Sequence, residues 1–187
     1  MYSAWQRLQS AFSFFTSLLL VLGGLVALSS VLYRDSPQIG KVDITKTVVK
    51  YSRAPRSYNP AQQEYAHVTF DLQADFTPLF NDWNTKQVFA YLVAEYAALP
   101  KPVAGTVAKW KENKVTVWDA IIQTPKKAKV SLAKKRNKYP IGDIAKVFDG
   151  RNATFTLYWN TMPHVGKLRW GSYKGSQSIT FPPRSAA

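Results

Sequence analysis

Cysteine is absent from all 187 residues, histidine occurs twice, and aspartate and glutamate together number only 11. The missing cysteine excludes disulfides, thiol nucleophiles, Cys-ligated zinc and iron–sulfur clusters. A chain of this length, 46% hydrophobic and 14% aromatic, holds enough apolar material to form a core without covalent staples. The shortage of histidine and acid is as restrictive. His67 lies on the polar side of an alternating stretch, and His164 follows Pro163 at a turn. Both read as solvated imidazoles. No paired carboxylates, phosphate-cradling glycine loop or metal-spaced cluster occurs, and no serine sits in a nucleophile-elbow context. The expectation is therefore no catalytic residue, no metal, no cofactor and no small-molecule substrate.

Charge is also missing from one long stretch. Ala11 to Tyr33 contains none, and such a run is long enough to span a bilayer as a helix. Trp5 before it and Tyr33 at its end suit the two interfaces, and the Gly23-Gly24 pair is tolerated in a membrane helix. Two other readings stay open. Ala27-Leu28-Ser29 has the small residues of a signal-peptide cleavage site. A buried core helix is also conceivable, although apolar residues on all sides disfavour it in so small a chain. The expected division is a short amino-terminal segment 1–10, a membrane helix 11–33 and a domain 34–187.

What is abundant is positive charge. The net charge is +14, and 24 of the 25 Lys and Arg lie after residue 33. An anionic partner follows, whether lipid headgroups, nucleic acid or an acidic protein face. The densest part is KKAKVSLAKKRNKY, with Lys126, Lys127, Lys129, Lys134, Lys135, Arg136 and Lys138. It reads either as a solvated edge-strand face or as a surface for anionic lipid or polymer. Nucleic acid is not expected, because only Tyr139 borders the charges where stacking would want interleaved aromatics.

After Tyr33 the periodicity becomes two. HVTFDLQADF places Val68, Phe70, Leu72, Ala74 and Phe76 on one side. Val88–Tyr96 is nearly all apolar and predicts a central strand covered on both faces. Further strands are expected at Val42–Tyr51, Val115–Ile122, Ala128–Ala133, Ala153–Trp159, Lys167–Tyr173 and Ser178–Phe181, with turn signals between them. Arg53–Gln63 reads as a surface loop and Pro100-Lys101-Pro102 as a turn. Short strands with no amphipathic helix among them predict an all-β antiparallel sandwich. In NDWN, Trp83 sits within a polar turn, as either a core plug or an anchor for a partner. Asn152-Ala153-Thr154 is an acceptor pattern for N-linked sugar. It favours an extracytoplasmic carboxyl domain, whereas the positive charges after the span favour the opposite orientation.

Several pieces occur in one order: VTFDLQADFTPLFNDWNTKQVFAYLVAEY, VTVWDAII, KVSL, NKYPI and GRNATFTLYWNTMPHVGK, all after an amino-terminal span. In this the chain resembles the non-catalytic subunit 3 family of the eukaryotic signal peptidase complex. The resemblance implies a single-pass protein of the endoplasmic reticulum membrane with a lumenal β-sandwich, with Asn152 on the lumenal side. It implies that the domain supports the catalytic signal peptidase subunit, alongside the other subunits, without catalytic residues of its own. The motifs WNTKQVF and WDAII supply Trp83, Asn84, Lys86 and Trp118 as candidate partner contacts.

Overall fold

The apolar amino-terminal segment forms helix α1, Ala4–Ser29, in a computed structural model that describes residues 3–32, 35–53, 62–97, 112–143, 148, 150–173, 175 and 177–183. The helix begins before the uncharged run because Ser3 caps it. The Ser3 hydroxyl accepts from the Gln6 amide at 3.3 Å, and the Gln6 side chain accepts from the Ser3 amide at 3.1 Å. No residue of α1 is buried in the protein's own core, which removes the core-helix reading. The mean hydropathy of 2.2 over its most apolar 18 residues, and its length of 26 residues, make it long and apolar enough to cross a membrane. Tyr33, most of the Arg53–Gln63 loop and the Pro100–Pro102 turn lie outside the described residues.

Nine strands follow among the described residues: β1 Gln38–Arg53, β2 Gln62–Asp75, β3 Thr85–Ala97, β4 Glu112–Ile122, β5 Lys129–Arg136, β6 Ile141–Gly142, β7 Asn152–Pro163, β8 Arg169–Ser172 and β9 Gln177–Thr180. All pair antiparallel and form two sheets. The first has the order β1-β2-β5, with β6 also on β2. The second has the order β4-β3-β7-β8, with β9 also on β7. The sandwich core lies between them. Val68, Phe70, Leu72 and Ala74 of β2 face Val88, Ala90, Leu92 and Ala94 of β3 and Phe155 and Leu157 of β7. Tyr96, Phe148 and Phe181 close one end, with Phe148 and Phe181 4.7 Å apart.

β3 is central, as its composition indicates, but only one face enters the core. Its other face carries half-buried Phe89, Tyr91 and Glu95. β4 departs from strict alternation. Leu92 pairs with Trp118 and Val93 with Thr116, so Val117 is an extra residue. The bulge lets the consecutive Val117 and Trp118 both turn inward, and Lys138 donates its amide to the Val117 carbonyl at 2.8 Å. The cationic segment forms a short 3-10 turn, Pro125–Lys127, and then the edge strand β5. All seven of its Lys and Arg side chains are exposed, and β5 is itself bulged opposite Phe70 and Leu72. Charge and a bulge on an edge both oppose unwanted strand pairing.

On β8, Gly171 lies across from Trp159. A Cβ there would fall 2.6 Å from the Trp159 indole nitrogen and closer still to the ring carbons. Gly171→Ala is expected to destabilise the protein by about 1–3 kcal/mol through overpacking. Thermal unfolding checks this, and an unchanged midpoint would show that the ring moves aside freely.

Candidate functional site: the joint between helix and sandwich

Two short polar residues shape the entry to β3. Asp82 accepts from the Asn84 amide at 3.0 Å through its side chain, and its carbonyl accepts from the Thr85 amide at 2.9 Å. This is the local turn that Asp favours. Asp82 and Asn84 point inward, with Asn84 only 1% exposed, while Trp83 between them is 62% exposed. The plug reading of Trp83 is thereby corrected: the turn directs it to solvent.

The inward pair ties three elements together. The Asn84 side-chain amide donates to the Ser30 hydroxyl at 2.6 Å and to the Val165 carbonyl at 2.7 Å, and its oxygen accepts from the Val165 amide at 3.1 Å. Its backbone carbonyl accepts from the His164 amide at 2.8 Å. Asparagine alone among the small polar residues offers both two donors and an acceptor here. The second carboxylate oxygen of Asp82 takes Arg169 at 2.9 Å, and Arg169 also donates to the Ser30 carbonyl at 3.2 Å. That carbonyl belongs to the end of α1, where orphan acceptors favour a cation. The helix end, the β3 entry and the β7–β8 hairpin thus share one buried polar network.

Packing accompanies it. Gly166, at φ +116°, holds a left-handed conformation in which its missing side chain matters twice. A Cβ there would also approach Ala27 Cβ at 3.2 Å. A Cβ placed on Gly23 would meet Val165 at 4.0 Å. Gly23, Ala27 and Ser30 follow at spacings of four and three, on one face of α1, and the hairpin shades that face. A cavity of about 260 Å³ between hairpin and helix is lined by residues including Ala27, Val31, Val165 and Leu168.

The other sequence-derived residues lie apart from this joint or in the interior. Lys86 is exposed near the start of β3. Trp118 is only 6% exposed, edge-on to Phe70 at 6.2 Å between centroids. It is a core residue. Asn84 is likewise buried and acts within the chain. Asn152 is exposed at the start of β7, where its side-chain oxygen accepts from Thr180 at 2.7 Å. His164 is exposed, but His67 is half-buried, and burial followed by the nearby Arg136 and Lys50 holds its pKa below the ordinary value. Among the described residues no three His, Asp or Glu side chains gather as a metal site. Sequence reasoning missed Ser30, Asp82, Val165 and Arg169. Only the D-x-N turn pattern at Asp82 signalled one of them.

A second feature lies on the outer face of the β4-β3-β7 sheet. Phe89 stacks on Tyr91 at 5.2 Å and Tyr91 on Tyr158 at 5.6 Å. Ile121, paired with Phe89, is largely exposed. The Tyr158 hydroxyl donates to Glu95 at 2.7 Å, and Lys114 reaches the same carboxylate at 3.0 Å. Burial would raise the Glu95 pKa, but these two contacts outweigh it and lower it. The Tyr158 phenol is raised, chiefly by the same hydrogen bond.

A sequence profile described as a signal peptidase subunit matches residues 1–184. The chain belongs to the signal peptidase subunit family. Its relatives include proteins named signal peptidase complex subunit 3 from several eukaryotes. The Schizosaccharomyces pombe protein is 33% identical over 178 residues, covering 91% of this chain and 89% of its own. The Saccharomyces cerevisiae protein is 39% identical over 142 residues, covering 74% and 72%. The human protein is 34% identical over 122 residues, covering 65% and 62%. The family match takes in both α1 and the sandwich, so the joint lies inside it.

Proposed function

We propose that this chain is a non-catalytic subunit of the signal peptidase complex of the endoplasmic reticulum. In this reading residues 1–10, which include the first turns of α1, face the cytosol, residues 11–33 cross the membrane as a single-pass anchor, and residues 34–187 form the lumenal domain. The sandwich positions the catalytic subunit for removal of signal peptides. The observation that carries the proposal is the buried joint of Ser30, Asp82, Asn84, Val165 and Arg169. A domain joined to its anchor by such a network is held at one height and tilt, and hydrolysis needs reacting atoms placed within about 3–3.5 Å. The names of the relatives support membership in the complex. The aromatic face at Phe89, Tyr91, Tyr158 and Ile121 supports a protein partner, since such residues anchor interfaces.

The test is purification from mild detergent with mass spectrometry of associated subunits. The wild-type chain should bring the other signal peptidase subunits with it. Ile121→Asp should reduce their recovery at least tenfold, the effect of about 1.4 kcal/mol, without lowering the unfolding temperature. Recovery of no signal peptidase subunit with wild type would refute the proposal. A glycosidase mobility shift lost in Asn152→Gln would support the lumenal orientation.

A further inference from the structure

Among the described residues of the sandwich, seven large apolar side chains are well exposed, and four of them, Trp83, Val165, Leu168 and Trp170, cluster around the joint. The packing of the hairpin on α1 gives this cluster a depth. Val165 lies against the position of Gly23, and Gly166 against Ala27. Gly23 precedes Ser30 by seven residues, which is about 10 Å along a helix. The uncharged run continues beyond Ser30. The hairpin tip is therefore level with residues inside the hydrophobic segment, not above its end.

We infer that the β7–β8 hairpin is a membrane-inserted element, seated in the leaflet through which α1 leaves the bilayer. The inference rests on the reading of α1 as a membrane span. Val165 and Leu168 enter the acyl region. Trp83 and Trp170, each more than 60% exposed, lie at headgroup level, where amphipathic rings settle. Lys167, exposed between them, extends its apolar stem and returns its ammonium to the phosphates. The backbone of Val165 is suited to this depth, because both its polar groups are taken by the Asn84 side chain. The small residues Gly23 and Ala27 leave room for the hairpin beside the helix. The occupant of the apolar cluster is thus lipid, continuous with the lipid around α1, and the sandwich rests on the membrane instead of hanging from a tether.

The absence of cysteine makes the test direct. Single-cysteine variants of the full chain are labelled with an environment-sensitive NBD dye and reconstituted into phosphatidylcholine vesicles, with or without lipid carrying a nitroxide near the top of the acyl chain. Labels at Val165→Cys and Leu168→Cys should emit to the blue and lose most of their fluorescence to the nitroxide lipid. A label at Ser178→Cys, on β9 near the opposite end of β7, should do neither. Phe14→Cys reports on α1 itself. Quenching at Phe14 with none at either hairpin position overturns the inserted hairpin and leaves the membrane span intact. No quenching at Phe14 overturns the span, and the hairpin with it. The second hairpin position guards against a perturbed joint in Val165→Cys.

Discussion

Trp118→Ala should lower the unfolding free energy by about 3–5 kcal/mol, whereas Trp83→Ala should change it by no more than about 0.5 kcal/mol. Both tryptophans stand in the short motifs WNTKQVF and WDAII, and the sequence treats them alike. The sandwich does not. Trp118 fills the core against Phe70, where an alanine leaves a cavity that the two sheets cannot close. Trp83 projects from its turn into solvent or lipid, so its loss removes little packing. For a domain of this size the Trp118 change corresponds to a fall of roughly 10 °C in the unfolding midpoint. Thermal unfolding of the full chain in detergent measures both. Equal effects of the two substitutions would show that the assignment of core and surface is wrong.

Asp82→Ala should be the most damaging change at the joint, at about 2–3 kcal/mol. Removing one partner of a fully buried ion pair costs about 3–5 kcal/mol. Arg169 is one-third exposed and recovers part of that by hydration. Asp82 is almost wholly buried, and both its carboxylate oxygens are engaged, one by the Asn84 amide and one by Arg169. Its loss should therefore also release Asn84 from its position and loosen Val165 and Ser30. The local readout is amide hydrogen exchange: His164 and Val165 should exchange much faster in the variant, while amides in the middle of β3 stay protected. Uniformly faster exchange would mean that Asp82 supports the whole sandwich instead of the joint. Asp82→Asn keeps the shape and an acceptor for the Asn84 amide, so it should cost less than Asp82→Ala.

Why some of this was legible and some not follows from the range of the forces. The alternation of Val68, Phe70, Leu72, Ala74 and Phe76 reads directly as a half-buried strand, and all five are in the core. Val117 and Trp118 break that rule. The bulge that buries both depends on which residues of β3 stand opposite, and pairing register is not written in β4. The basic segment shows the same division. Its charges could be counted in advance and left two readings open, and the sheet order places Lys129, Lys134, Lys135 and Arg136 on an exposed edge strand. For His67, strand periodicity indicated the polar side, yet the partial burial comes from the folded surroundings.

The sequence by itself determined the local properties: an uncharged segment long enough for a membrane helix, strands of period two, and short turns at Pro78 and Pro125. Those rest on backbone sterics and on the burial preference of single side chains, which act between near neighbours. The tertiary structure alone decided that Ser30 meets Asn84 and Arg169, that Val165 lies against Gly23, and that Trp118 is core and Trp83 surface. Each of these brings together groups tens of residues apart or depends on strand register. Such contacts arise only when the two sheets have paired and the helix end has found its place on them.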